Sequence, residues 1–449
     1  MTAAQRKRAA MLEGPIWPTL ARMAAPGIVA MLITSAMSIV ETWYLGRIGT
    51  EALAGVALVF PVFMLTNMLS AGSVGGVISG ATANMTGADD AAGGEAVLRT
   101  GILMAGVCGV GMALFFWFAG PAFYAMLGGE GAVLDGAVTY SAILMLAIPL
   151  MWQFNMLSGV LRGSGDMATP AIVQALVTAS HFGFCWLYIA KLDLGIAGAS
   201  LAVLSAFGLG AVVLLFYFLS GRSAVAIRRG AIAPALLKSL SRLAAMAGFQ
   251  AVLTVVTIML ITGLVGRLGP VWLAGYGVGA RLEFLMIPII FGIGAALIAM
   301  VGANRGAGLR DRAAGIAWRG TALATIVVGG IGLLSAAFPT AWARIYSDDP
   351  EVIAACAIYM QRVAPFYGFF ALGLALYFAS QAMQTLGVPV FGSLLRFAII
   401  AGGGTVLSFS GSVEPATVFG LVAAGMTAYG VVVSVGLRLI SWKPQPQPA

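Results

Sequence analysis

Apolar stretches of about 20 residues or more alternate with short polar connectors along nearly the whole chain, and stretches of that length suit helices that cross a bilayer. They predict helices near residues 18–45, 53–83, 97–125, 137–161, 169–190 and 196–220. Six more follow near 238–265, 273–303, 317–340, 353–383, 389–409 and 416–441. The reading is an all-α integral membrane fold of twelve transmembrane helices in two pseudo-symmetric six-helix lobes. An even number of spans returns each half to its starting side, so the halves are parallel repeats about an axis along the membrane normal, and inverted repeats are excluded. The expected organisation is an N-terminal lobe over 1–220, a connector over 221–237 and a C-terminal lobe over 238–449. The connector carries Arg222, Arg228, Arg229 and Pro234; the Pro-rich end from Lys443 to Pro448 is expected to be disordered.

Loop residues repeat as well as helices. Gly46-Arg47-Ile48-Gly49 with Leu53-Ala54-Gly55 recurs as Gly266-Arg267-Leu268-Gly269 with Leu273-Ala274-Gly275, about 220 residues later. The same offset carries Ala83-Asn84 onto Ala303-Asn304 and Arg99 onto Arg319, while Gly165 with Pro170 is echoed by Gly387 with Pro389. Two related halves in a membrane chain point to a transporter.

Composition fixes the solvent: 60% of residues are hydrophobic, 9% are charged, and the mean hydropathy is +0.99. The 60 Gly and 22 Met suit helices that pack closely and slide. Lys and Arg gather in alternate connectors. One side holds Arg6, Lys7, Arg8, Arg99, Arg162, the basic connector, Lys238, Arg242, Arg305, Arg310, Arg312, Arg319, Arg438 and Lys443, whereas the other holds Arg47, Lys191, Arg267 and Arg344. The positive-inside rule then places both termini in the cytoplasm. The net charge of +8 is thereby a topology signal, and without aromatic interleaving it calls for no nucleic acid. The first apolar stretch exceeds a signal-peptide core and stays as the first helix. Cys108, Cys185 and Cys356 all fall inside spans and suggest neither a disulfide framework nor a zinc site. With no phosphate-cradling Gly-rich Lys motif and no loop large enough for a catalytic domain, the expectation is a non-enzyme without cofactor, driven by an ion gradient.

An ionisable side chain inside a span costs roughly 2.5–3.5 kcal/mol on insertion scales, so each is a functional candidate. Glu41 lies near the outer end of the first helix, about 8 Å of rise from Gly46, and is either functional or snorkels to the interface. Glu283 sits mid-span in the eighth helix; Arg281, two residues away, faces elsewhere, and Arg362 of the tenth helix is a possible ion-pair partner. His181, the only histidine, stands one turn before Cys185 on the same face and is either a buried structural group or a titrating one. Pro26, Pro149, Pro288 and Pro365 interrupt spans and favour kinks, and Pro26 stands roughly four turns before Glu41.

These residues resemble the multidrug and toxic compound extrusion family. The likeness is carried by Pro26, Glu41-Thr42-Trp43-Tyr44-Leu45-Gly46-Arg47-Ile48-Gly49 and Leu53-Ala54. It continues through Leu161-Arg162-Gly163-Ser164-Gly165-Asp166 with Thr169-Pro170, and through Pro288 with Val301-Gly302-Ala303-Asn304-Arg305-Gly306-Ala307-Gly308. The resemblance implies two lobes around a central cavity, alternating access, and export of cationic or amphipathic organic compounds in exchange for protons or sodium ions. It also implies a coupling carboxylate at the outer end of the first helix, where Glu41 replaces the family's usual Asp. The fifth helix departs from the pattern, since an expected Asn and Asp fall on His181 and Cys185. With few oxygen ligands beyond Glu41, Thr34 and Asn155, protons are the expected coupling ion and sodium the alternative, with His181 sharing the proton if it faces the same cavity. Substrate contacts are expected from Glu283, from Tyr140, Gln153 and Asn155 on the fourth helix, and from Gln250 on the seventh. A monomer in a bacterial inner membrane is expected. The rival reading, a flippase for phosphate-linked lipids, requires several cavity cations, for which Arg281 and Arg362 are the candidates.

Overall fold

In the computed structural model, residues 2–409 and 414–440 are described; the Lys443–Pro448 tail lies outside them. Among the described residues twelve helices are long and apolar enough to cross a membrane. The first six are α1 (Ile16–Ile48), α2 (Thr50–Ala88), α3 (Ala91–Met126), α4 (Gly131–Gly163), α5 (Ala168–Lys191) and α6 (Gly195–Leu219). The second six are α7 (Pro234–Gly266), α8 (Pro270–Gly306), α9 (Arg310–Ala337), α10 (Pro350–Met383), α11 (Gly387–Phe409) and α12 (Pro415–Leu439). Most run a few residues past the apolar stretches, because a helix continues its hydrogen bonds into the polar interface until a turn stops it. The ninth falls furthest short at its end. It ends at Ala337 rather than near 340, where Pro339 opens a separate short helix, Pro339–Ala343.

The repeated loop has a conformational cause. Gly49 and Gly269, equivalent in the two halves, have φ of 149° and 107°, a region that side chains disfavour, so both α1–α2 and α7–α8 turns demand glycine. The Gly165–Gly387 echo does not extend to conformation. Gly165 takes φ 83°, but in the second lobe the left-handed residue is Gln384 at φ 58° and Gly387 simply opens α11.

The four prolines differ in what they do to the helical hydrogen-bond pattern. Pro26, Pro149 and Pro288 lie within continuous helices, and the hydrogen-bond pattern changes only around Pro365, in the 3-10 turn Ala364–Phe366 of α10. The other irregularities fall where no proline stands, in the π turns Met68–Val74 of α2 and Trp186–Lys191 of α5. A π turn leaves a backbone carbonyl free for an outside donor. That of Gly72 accepts from Gln381 Nε2 at 2.7 Å, across the boundary between the lobes.

The lobes meet through α8, which packs against α1 and α2, with α10 also lying on α2 and α7 on its π turn. Small residues permit this contact. A Cβ on Gly87 would overlap the carbonyl of Ala303, and one on Gly306 would overlap that of Asn84. Asn84 Nδ2 donates to Ala382 O at 2.8 Å, and Ser73 Oγ to Ala244 O at 2.6 Å. These contacts lie in the half of the bundle that carries the chain's N-terminus.

That half is further closed by an N-terminal helix, Ala3–Glu13, too short to register as a span and opened by a capping box between Thr2 and Gln5. It ties to the first lobe through Lys7–Asp166 at 2.8 Å and through Arg8, which donates to Thr86 O at 2.9 Å and Gly87 O at 3.0 Å. It ties to the second lobe through Asn304 Nδ2, which donates to Met11 O at 2.9 Å, while Arg312 donates to Gly14 O. Asp166 lies in the α4–α5 loop. Burial raises its carboxyl, but the ammonium of Lys7 and the N–H and hydroxyl of Thr169 outweigh that and hold it below the ordinary carboxylate range. On the outside of the bundle Phe118, Phe216 and Ile326 are each more than two-thirds exposed, as expected where the solvent is lipid.

Candidate functional site

A cavity of about 200 Å³ opens within the first lobe and is walled by α1, α2, α4, α5 and α6, with Phe291 and Gly292 of α8 and Phe378 of α10 completing it from the second lobe. Glu41 lines its outer part. The carboxylate accepts a hydrogen bond from the Tyr140 hydroxyl at 2.6 Å. No Lys, Arg or His among the described residues lies within ion-pair distance of it. A carboxylate bonded to a neutral phenol keeps its charge uncompensated, so it attracts a proton or a cation.

Asn155 also lines the cavity, and its Nδ2 donates to Ser70 Oγ at 2.7 Å and weakly to Asn67 Oδ1 at 3.4 Å. Thr34 lines it too, its hydroxyl turned back to Ala30 O at 2.9 Å in the usual helical manner. Pro26 stands beside Gly27, which touches Gly292 of α8, so the proline sits where α1 meets the other lobe.

The structure corrects four placements expected from the sequence. His181 is fully buried and does not line the cavity; its ring meets Cys185 Sγ at 3.5 Å, and no contact brings it to Glu41. The i to i+4 spacing that joins it to Cys185 also turns both inward. Gln153 faces α3, donating to Ile102 O at 2.9 Å, because it lies two residues from Asn155 and so on another face. Gln250 is buried within the second lobe, where its Nε2 donates to Tyr429 OH at 3.1 Å. Arg362 does not partner Glu283. It is exposed, since the 3-10 turn at Pro365 follows it, and Arg281 is likewise exposed, stacked over the Tyr346 ring at 4.9 Å.

Glu283 is instead held by the Tyr359 hydroxyl, with Arg396 of α11 within electrostatic reach. Arg396 is buried and stacks over Phe370 at 4.9 Å. Tyr140 and Tyr359 are repeat-equivalent, so each lobe presents a fourth-helix tyrosine to a carboxylate, supplied by α1 in one and by α8 in the other. Arg396 is not among the residues singled out from the sequence, although its signal is plain, an arginine inside an apolar span. The sequence suggests for Arg162 only an inner-side loop charge, yet it lines the cavity. Gln381, which bridges the lobes, offers no sequence signal, because its acceptor exists only through the π turn.

Two six-span helical lobes, with a largely apolar cavity that carries a few polar groups and faces their junction, define a membrane transporter fold. The MatE family model matches residues 26–187 and 247–402, more than half of the chain, and the protein belongs to that family of multidrug and toxic compound extrusion transporters. A "Probable multidrug resistance protein NorM" of Deinococcus radiodurans is 27% identical over 429 residues, 92% of this chain and 93% of that one. A "FAD transporter" of Shewanella oneidensis is 24% identical over 387 residues, 84% of each chain. Among solved structures, a transporter of the MOP superfamily from Pyrococcus furiosus superposes with a TM-score of 0.89 at 18% identity, covering 97% of this chain and 99% of that one. An outward-facing multidrug resistance transporter of the MATE family superposes equally, with a TM-score of 0.89, 18% identity and 99% of both chains covered.

Proposed function

We propose that the protein exports cationic or amphipathic organic compounds by alternating access in exchange for protons, with Glu41 as the coupling residue. The observation that carries this reading is Glu41 in the cavity wall, bonded to a neutral tyrosine and unpaired with any cation. A proton and a cationic substrate compete for that one charge, and whichever binds biases the lobes toward the arrangement it favours. Asn155 supplies a polar contact and Phe154, Phe207 and Phe291 an apolar wall, while Tyr140 acts through its bond to Glu41. The multidrug names of the relatives support an organic substrate. The concentration of Lys and Arg on the N-terminal side supports cytoplasmic termini in a bacterial inner membrane, with the cavity sealed on the cytoplasmic side in this conformation.

Protons are favoured over sodium because Glu41 is the one carboxylate among the cavity-lining residues and already accepts from Tyr140, which leaves a sodium ion little anionic oxygen to bind. Ethidium transport in proteoliposomes under an imposed proton gradient, compared with an imposed sodium gradient at matched membrane potential, tests this. Uphill movement on the proton gradient alone is expected. Movement on sodium alone would remove the proton assignment, and movement on neither would remove the antiport reading.

A further inference from the structure

The inner end of the same cavity carries a charge of opposite sign. Arg162 occupies the last turn of α4 and lines the cavity. An arginine at a helix end ordinarily meets terminal carbonyls, pairs with a carboxylate or snorkels into water. Here its guanidinium makes no hydrogen bond or ion pair among the described residues. Asp166, the acid closest to it in sequence, is engaged by Lys7 at 2.8 Å, by Thr169 Oγ1 at 2.9 Å and by the Tyr217 hydroxyl at 3.1 Å.

Two unpartnered hydroxyls accompany the guanidinium. Ser158 lies one turn before Arg162 on the same face of α4, and Ser79 belongs to α2 where its backbone abuts Gly163. Both line the cavity, both are 1% exposed, and neither side-chain oxygen has a hydrogen-bond partner. Buried hydroxyls normally find partners, and the half-buried guanidinium beside them faces the cavity with no counter-charge. One occupant satisfies all three groups, an anion with several acceptor oxygens, which a planar guanidinium grips in bidentate fashion.

We propose that Arg162, Ser158 and Ser79 form an anion subsite at the inner end of the cavity, so that the substrates include amphipathic molecules bearing a phosphate or carboxylate group. This rests on the reading of the cavity as the substrate path. Along α4 the contact of Tyr140 with Glu41 and the position of Arg162 are separated by roughly 33 Å of helix rise. A drug-sized molecule therefore engages one end at a time, and anion recognition is separate from the Glu41 charge. The "FAD transporter" relative makes flavins the natural probes, because riboflavin and its phosphate ester FMN share one ring system and differ in a single anionic group.

The test is the ratio of dissociation constants for riboflavin and FMN, read by flavin fluorescence on full-length protein in nanodiscs at fixed ionic strength. Wild type is expected to bind FMN about ten-fold more tightly, equivalent to about 1.4 kcal/mol. Arg162→Gln should bring the ratio to about one, Arg162→Lys, which keeps the charge but not the bidentate grip, should keep only part of it, and Ser79→Ala with Ser158→Ala should lower it partially. No FMN preference in wild type, or an undiminished one in Arg162→Gln, overturns the proposal. If Arg162→Gln fails to fold, the wild-type ratio and the serine pair still decide. Ethidium transport on the wild type is scored separately. FMN preference without ethidium transport leaves the subsite standing and removes the cation-export reading, and the reverse result removes the subsite alone.

Discussion

Among the described residues the cavity is lined by one acid, and under the proposed coupling that number sets how far the transporter could concentrate its substrate. Glu41 faces the cavity, His181 is sealed against Cys185, and Arg162 carries a fixed charge. If Glu41 is the coupling residue proposed above, one proton would be exchanged for each monovalent cation and the cycle would move no net charge. A pH unit is worth about 1.4 kcal/mol per proton, so the limiting accumulation of cation is about ten-fold per unit of imposed pH difference and about 100-fold across two units. The assay is accumulation of a fluorescent cation in proteoliposomes at steady state, over a series of pH differences with the membrane potential clamped. The logarithm of the accumulation ratio should rise with a slope of one and ignore the clamped potential. Glu41→Gln should reduce the slope to zero, because a neutral amide neither takes nor releases the proton. A slope near two, a dependence on potential, or an unaltered slope in Glu41→Gln would refute the single-carboxylate reasoning.

Other expectations follow from the lobes and the N-terminal helix. Glu283→Gln removes the negative charge within electrostatic reach of the buried Arg396 and weakens the bond from Tyr359, and should lower the thermal midpoint. Adding Arg396→Gln should restore most of it, and a double variant no better than the single would break the link. Gly306→Val pushes a side chain into Asn84 and should cost the closed inner interface about 1–3 kcal/mol. Spin labels on the inner ends of α2 and α8 should then show a larger well-separated population, and an unchanged distance distribution would count against that interface as the seal. Since the Asp166 carboxyl is held low, its bond to Lys7 stabilises the docked N-terminal helix fully above the ordinary carboxylate range and is lost only as pH falls through the lowered value. Proteolysis near Arg6 should therefore be pH-independent between about 5 and 8 after correction for the protease's own profile, and Lys7→Ala should increase it throughout.

Span number, the repeat and the place of Glu41 in the cavity wall are legible because each leaves a local mark: apolar length, recurring turn glycines, and an acid where acids are costly. What escapes depends on geometry that no window of sequence carries. The N-terminal helix is short and polar, and only its contacts with Asp166, Thr86 and Asn304 give it a place. Arg362, on a neighbouring helix in the right lobe, is the partner that the sequence suggests for Glu283, but helical phase and the turn at Pro365 send that side chain outward and leave the role to Arg396. Gln153 and Asn155 look equivalent as polar residues on one helix, yet two positions of separation send one to α3 and the other to the cavity.

The inner seal also has a symmetry with a lasting consequence. Gly87 meets Ala303 while Gly306 meets Asn84, and these positions nearly exchange under the internal repeat. The contact is built like the self-complementary interface of a homodimer whose two copies have been joined into one chain. In a true homodimer every substitution appears twice, and an acid placed on the first helix of one copy is imposed on the other. Fusion lifts that restriction while keeping the shared surface on which the copies rock. The equivalent of Glu41 in the second half is Ile261, and the equivalent of Glu283 in the first is Phe63, so the two halves have kept one mechanical joint while their charges have diverged.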